Sequence, residues 1–167
     1  AVAGGKVHDW VLHGASSYAQ TGVSSFPLTP MPGERPLLEP GETWRTPQTQ
    51  FDPFPVYGMI QSVSRGQSPG AWDVTFRGKD EPTGARVFVT DDGSSQVMLG
   101  QSPVLLETKD KLSEAINGYA KMMRPALIVR HAGGRSLFVS VIEPLGGPSA
   151  ITAVERLPLA AENPDAV

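Results

Sequence analysis

From residue 56 onward, bulky side chains alternate with polar ones in short runs, and turn residues interrupt these runs at close intervals. A period of two sends successive side chains to opposite faces of an extended strand, a pattern that a helix cannot use. Strands are expected at 56–63, 71–77, 85–91, 95–99, 103–107, 126–131, 135–142 and 150–157, with an earlier one at 7–13. Short strands at such spacing are the mark of a sandwich or barrel, and the expected fold is an all-β, antiparallel β-sandwich. The cleanest run is 71–77, where Trp72, Val74 and Phe76 form an apolar face opposite Asp73, Thr75 and Arg77. Over 135–142 both faces carry large apolar groups, Leu137, Val139 and Val141 against Phe138 and Ile142, so this strand needs cover on both sides.

Turn chemistry sets the expected connections. Asp91-Asp92-Gly93 and Ala132-Gly133-Gly134 supply residues that accept a positive φ, as tight hairpins require, and 126–131 with 135–142 is the clearest expected hairpin. Residues 15–55 begin Ser-rich and then carry prolines at 27, 30, 32, 36, 40, 47, 53 and 55. That density removes too many ladder donors for a central strand, so an ordered excursion with short edge strands is expected. Leu112, Ile116, Tyr119 and Met123 recur at helical spacing within 109–123, which fits a short helix, although Asn117-Gly118 in its middle works against one. The expected organisation is one β-sandwich domain over 1–157 and a tail over 158–167.

Composition narrows the function. A net charge of −3 and no basic stripe argue against a nucleic-acid partner. The absence of cysteine excludes disulfides, thiolate nucleophiles and cysteine metal sites. No apolar run approaches the roughly 20 residues of a membrane helix, so no membrane span is expected. The start, Ala1-Val2-Ala3-Gly4-Gly5, has neither an initiator Met nor a basic and apolar leader pattern, as expected of a processed chain or an excised piece.

The densest group of chemically active side chains is His8, Asp9 and His13. In a regular strand His8 and His13 face opposite ways, while Asp9 and His13 share a face at roughly 14 Å. Bonds of about 2 Å to a single zinc ion cannot span that distance, so no metal site, no catalytic residue and no cofactor are expected from this cluster. His131 reads as a hairpin-end residue, and the adjacent acids Asp80-Glu81 and Asp91-Asp92 read as solvated turn formers. No serine sits in a nucleophile-elbow pattern and no glycine run resembles a phosphate loop. Trp10 and Trp72 lie in strands and are expected in the core, whereas Trp44 and Tyr18 lie in the excursion and are candidate surface contacts.

Gly4-Gly5-Lys6-Val7-His8-Asp9-Trp10-Val11-Leu12-His13-Gly14 resembles the "GG…HDxxLHG" strand of the heparinase II/III-like polysaccharide lyases. Arg124–His131, followed by Phe138-Val139-Ser140-Val141-Ile142-Glu143-Pro144, is similar to the late "F-V-x-V-x-E-P" segment of that family. The resemblance covers the two ends of the chain and leaves out its middle. It implies the C-terminal β portion of a periplasmic or secreted enzyme whose N-terminal (α/α) toroid degrades acidic, uronic-acid-containing polysaccharide by β-elimination. The family's catalytic Tyr and His and its zinc site lie upstream of the motif and have no counterparts among these residues. The implied partners are therefore the missing catalytic domain and, through it, the polysaccharide, with His8, His13, Trp44 and Tyr18 as candidate substrate contacts. The alternatives are an independent carbohydrate-binding module with exposed aromatics, or a structural interaction domain without a glycan role.

Overall fold

The computed structural model describes residues 2–14, 20–23, 25–45, 55–78, 83–103, 123–155 and 157. The described residues are nearly all β. In chain order the strands are β1 (Val2–Ala3), β2 (Val7–His13), β3 (Gln20–Val23), β4 (Thr29–Pro30), β5 (Gln61–Gln67), β6 (Ala71–Arg77), β7 (Gly84–Thr90), β8 (Gln96–Pro103), β9 (Met123–Ala132), β10 (Arg135–Ser136) and β11 (Val139–Leu145), with a 3-10 turn at Val56–Met59. The 3-10 turn replaces the start of the strand expected at 56–63. The expected run 103–107 survives only as the last residue of β8, and residues 104–107 lie outside the described residues. The helix expected at 109–123 also lies outside them, apart from Met123, which begins β9.

Two antiparallel sheets face each other. The first has the order β2-β9-β8-β5-β4 and the second β11-β7-β6-β3, and β1 pairs with β10 as a separate ribbon. Between the sheets, Trp72, Val74, Phe76, Val87 and Val89 of the second meet Val97, Leu127 and Val129 of the first. The in-out alternation of 71–77 thus does what its pattern requires, with Trp72, Val74 and Phe76 all buried. Each such side chain contributes about 1.5–3 kcal/mol when taken out of water.

The other face of the first sheet is also covered. Val63, Met98 and Ile128 point away from the sandwich core and pack with Leu37 and Ile60, joined by Met31 and Tyr57. Met31 and Leu37 of the Pro-rich excursion, with Tyr57 and Ile60 just after it, therefore form a third layer over the first sheet. Its short strands β3 and β4 occupy one edge of each sheet, as the proline density leads one to expect. Cover on both faces explains why every residue of 125–129 is buried.

The connections differ from the expected hairpins. β9 pairs with β2 on one side and β8 on the other, so it has no free edge for 135–142. The chain instead turns at Gly133, at φ 152°, and crosses to the second sheet, where β11 pairs with β7. The turn is fixed by Gly133 N–H donating to the Lys6 carbonyl and Gly4 N–H to the Gly134 carbonyl, both at 2.9 Å. Asp91-Asp92-Gly93 is likewise a crossing from β7 to β8. Its Asp91 carboxylate accepts from Gly93 N–H at 2.6 Å and from the Ser68 hydroxyl at 2.9 Å, clasping the other crossing from β5 to β6. Residues 151–155 do not form the expected strand. The backbone N–H groups of Ala150 and Ile151 donate to the Glu143 carboxylate, and the Ile151 carbonyl accepts from Arg86, so side chains rather than a neighbouring strand hold this segment on the second sheet.

Candidate functional site

Strand β2 meets β9 in a register that places His8 opposite His131 and Asp9 opposite Arg130. Directly opposed residues share a face, and successive rungs alternate faces. The Asp9–Arg130 rung faces the covering layer. Arg130 donates from Nε and Nη2 to the two Asp9 oxygens, both at 2.8 Å, and the Tyr57 hydroxyl donates to Asp9 Oδ2 at 2.5 Å. Tyr57 reaches this point from the 3-10 turn, which is closed by Gly58 N–H to the Pro55 carbonyl at 2.9 Å. Burial pushes the Asp9 carboxyl up, but the Arg130 and Tyr57 hydrogen bonds and the Arg130 charge outweigh it and hold Asp9 below its usual value. Burial and the Asp9 hydrogen bond and charge push the Tyr57 hydroxyl up to about 12. The triad is a charge-assisted lock between the 3-10 turn that follows the excursion and the first sheet.

The next rung faces inward. His8 Nδ1 lies 2.7 Å and His131 Nδ1 2.8 Å from the Ser136 hydroxyl oxygen, while His8 Nε2 contacts the Gly4 carbonyl. A carbonyl can only accept, so His8 donates from Nε2 and, when neutral, accepts the Ser136 proton at Nδ1. Ser136 then accepts from His131 Nδ1–H, giving one directional chain from His131 to Gly4. His8 and Ser136 are each only 7% exposed, so the hydroxyl bridges the two imidazoles inside the fold. The chain ties β1, β2, β9 and β10 together at one end of the core.

The remaining expected site residues do not converge on these clusters. His13 sits at the far end of β2, opposite Ala126, and is exposed. Trp44 is half-buried in the covering layer beneath the Arg35 guanidinium, 4.1 Å from its ring centroid, and a Cβ on Gly58 would meet its ring. Tyr18 lies outside the described residues. Trp10 packs against the core and Trp72 is part of it. Among the described residues no group of three or more His, Cys, Asp or Glu is placed to hold a metal ion. Sequence reasoning missed the partnership of Tyr57, Arg130 and Asp9, because their pairing depends on strand register and on the path of the excursion.

A surface feature lies beside these clusters. β2 and β11 are outermost strands of their sheets, and the β1–β10 ribbon joins the start of one to the start of the other. Among the described residues neither strand is paired on its outer side, and the two edges lie on one side of the sandwich. Val7 and Val11 of β2 are exposed on the outer face of the first sheet, Val139 and Val141 of β11 on the outer face of the second, and Ile142, Val2 and Leu137 are exposed at the edge and the ribbon. Val7 and Ile142 are 51% and 52% exposed. No protein-family model, curated protein or solved structure matches the chain.

Proposed function

We propose that this chain is a non-catalytic β-domain of a polysaccharide lyase, supporting a catalytic domain that cleaves uronic-acid-containing polysaccharide by β-elimination. The observation that carries the reading is the set of exposed apolar side chains along the two outermost strands β2 and β11. Apolar patches of this kind mark protein–protein contacts, and unpaired strand edges invite further pairing unless something covers them. In this reading the cover is the catalytic domain of the same protein. The resemblance of Gly4–Gly14 to the lyase motif supports the same assignment, and that motif strand is one of the two outermost strands.

The polar clusters fit a supporting role. Asp9, Arg130 and Tyr57 satisfy one another, and the Ser136 hydroxyl is buried between two imidazoles, as expected of groups that hold strands together. The carbohydrate-binding alternative calls for exposed aromatics, and among the described residues the exposed large apolar side chains include none. Lining of the substrate cleft is then a secondary role of this domain, with His13 as its exposed motif residue.

The test is to incubate the whole protein and the isolated chain with a polyuronate and follow the ultraviolet absorbance of the double bond made by β-elimination. The whole protein is expected to produce it and the isolated chain is not. Ile142→Glu in the whole protein should lower its thermal stability. Cleavage by the isolated chain would refute the non-catalytic assignment, and a whole protein without eliminase activity would refute the lyase assignment.

A further inference from the structure

At the mouth opposite the bare side, three departures from strand rules fall at one place. The inward run of β8 is Val97, Leu99, Gln101, so an amide stands where the apolar alternation predicts a core residue. Ser64 lies directly opposite Leu99 and shares its face, placing a hydroxyl in the next inward position. The register slips between Gln61 and Ser64, so that Ser62 and Val63 oppose Gly100 alone. That is a β-bulge, a device that re-aims side chains at the rims of sheets. Gly100 is required there, since a Cβ would sit 2.8 Å from Ile60 and 3.0 Å from Val63 side-chain atoms. Ser62, at φ 51°, is the one non-glycine residue among the described residues with a left-handed backbone.

Of these residues, Ser62, Ser64, Leu99, Gly100 and Gln101 line one open groove of about 410 Å³ between the end of the first sheet and the segment that leaves β3. Its volume falls within the roughly 300–1,000 Å³ typical of small-ligand sites. Polar residues on a core face and strained backbone are features that folds tolerate where a site needs them. The lining pairs the Ser62 and Ser64 hydroxyls and the Gln101 amide with the apolar surfaces of Phe26, Leu28 and Leu99, and it contains no ionisable side chain.

We infer that this groove binds an uncharged, polyhydroxylated ring, a neutral sugar residue. Phe26 and Leu28 cover the C–H face of such a ring, and Ser62, Ser64 and Gln101 exchange hydrogen bonds with its hydroxyls. A carboxylate held in the groove would lose water without gaining a cation, so an acidic sugar is disfavoured. The groove rests on one half-buried ring, Phe26, and not on the platform of exposed aromatics that an independent carbohydrate-binding module calls for, and the inference does not depend on the lyase assignment, because it concerns this chain alone and the catalytic domain takes no part.

The test is an amide NMR titration of the full chain with cellotetraose, mannotetraose and tetragalacturonate. At least one neutral probe should move the signals of Ser62, Ser64 and Gln101, with tetragalacturonate bound about tenfold more weakly. Gln101→Leu restores the apolar alternation, so it should weaken that binding by about tenfold while keeping or raising the melting temperature. Should that variant fail to fold, Ser62→Gly removes the hydroxyl, relaxes the backbone and carries the same expectation. The inference is overturned if neither neutral probe moves these signals, if tetragalacturonate binds as tightly as they do, or if the folded variant binds with unchanged affinity.

Discussion

Asp9 and Tyr57 make stability depend on pH at both ends of the scale. The Asp9 carboxyl is held below its ordinary value of 3.8, so its contribution is present above that pH and is lost as the pH falls through the folded-state value. Tyr57 runs the opposite way. Its hydroxyl rises from 10.0 to about 12, so its contribution is full below pH 10 and is lost as the pH climbs toward 12. Urea unfolding across the pH range should therefore show both limbs. Tyr57→Phe should remove the alkaline limb and cost about 1–2 kcal/mol, the range for a partly exposed hydrogen bond to a charged acceptor. An unchanged alkaline limb in that variant would contradict the assignment. At the inner rung, Ser136→Ala leaves two imidazole nitrogens without their buried partner and should cost about 1–3 kcal/mol in the same measurement. Strand parity made the separation of His8 from Asp9 legible in the sequence. Their partners were not, because Tyr57, Arg130 and Ser136 reach them through tertiary paths that no local pattern encodes.

Among the elements, the alternation over 71–77 was legible because β6 has one face in the core and one toward solvent. The crossing after β9 was not legible. Ala132-Gly133-Gly134 supplies the chemistry of a tight turn, and only the occupancy of both β9 edges sends the chain to the other sheet. The excursion was readable as edge-forming, but the position of its described part over the first sheet depends on Leu37 and Met31, with Tyr57 and Ile60 after it, meeting Met98 and Ile128. That layer gives a graded prediction. Met98→Ala should cost about 2–5 kcal/mol, as for a fully buried large-to-small change, whereas Val141→Ala on the bare edge should stay within about 0.5 kcal/mol in the isolated chain. Gly58→Ala forces a methyl against Trp44 and Leu38 and should cost about 1–3 kcal/mol. Equal losses for Met98→Ala and Val141→Ala in urea titrations would contradict the layer assignment.

For the whole molecule, the sandwich is sealed unevenly. One pair of edges is occupied by the excursion's own strands, β3 and β4, while among the described residues β2 and β11 have no strand on their outer sides and carry exposed apolar side chains. The sequence hinted at this, because Leu137, Val139, Val141, Phe138 and Ile142 left a strand too apolar for solvent on either face. The double cover expected there falls instead on β9, and of these five side chains only Phe138 is drawn into the core. If the open side is covered by a catalytic domain, its backbone should be protected only when that domain is present. The most direct measurement is hydrogen–deuterium exchange of the β2 and β11 amides, compared between the isolated chain and the whole protein. Slower exchange on both strands in the whole protein, with β8 and β9 unchanged, is the predicted result. Equal exchange of β2 and β11 in the two forms would contradict it.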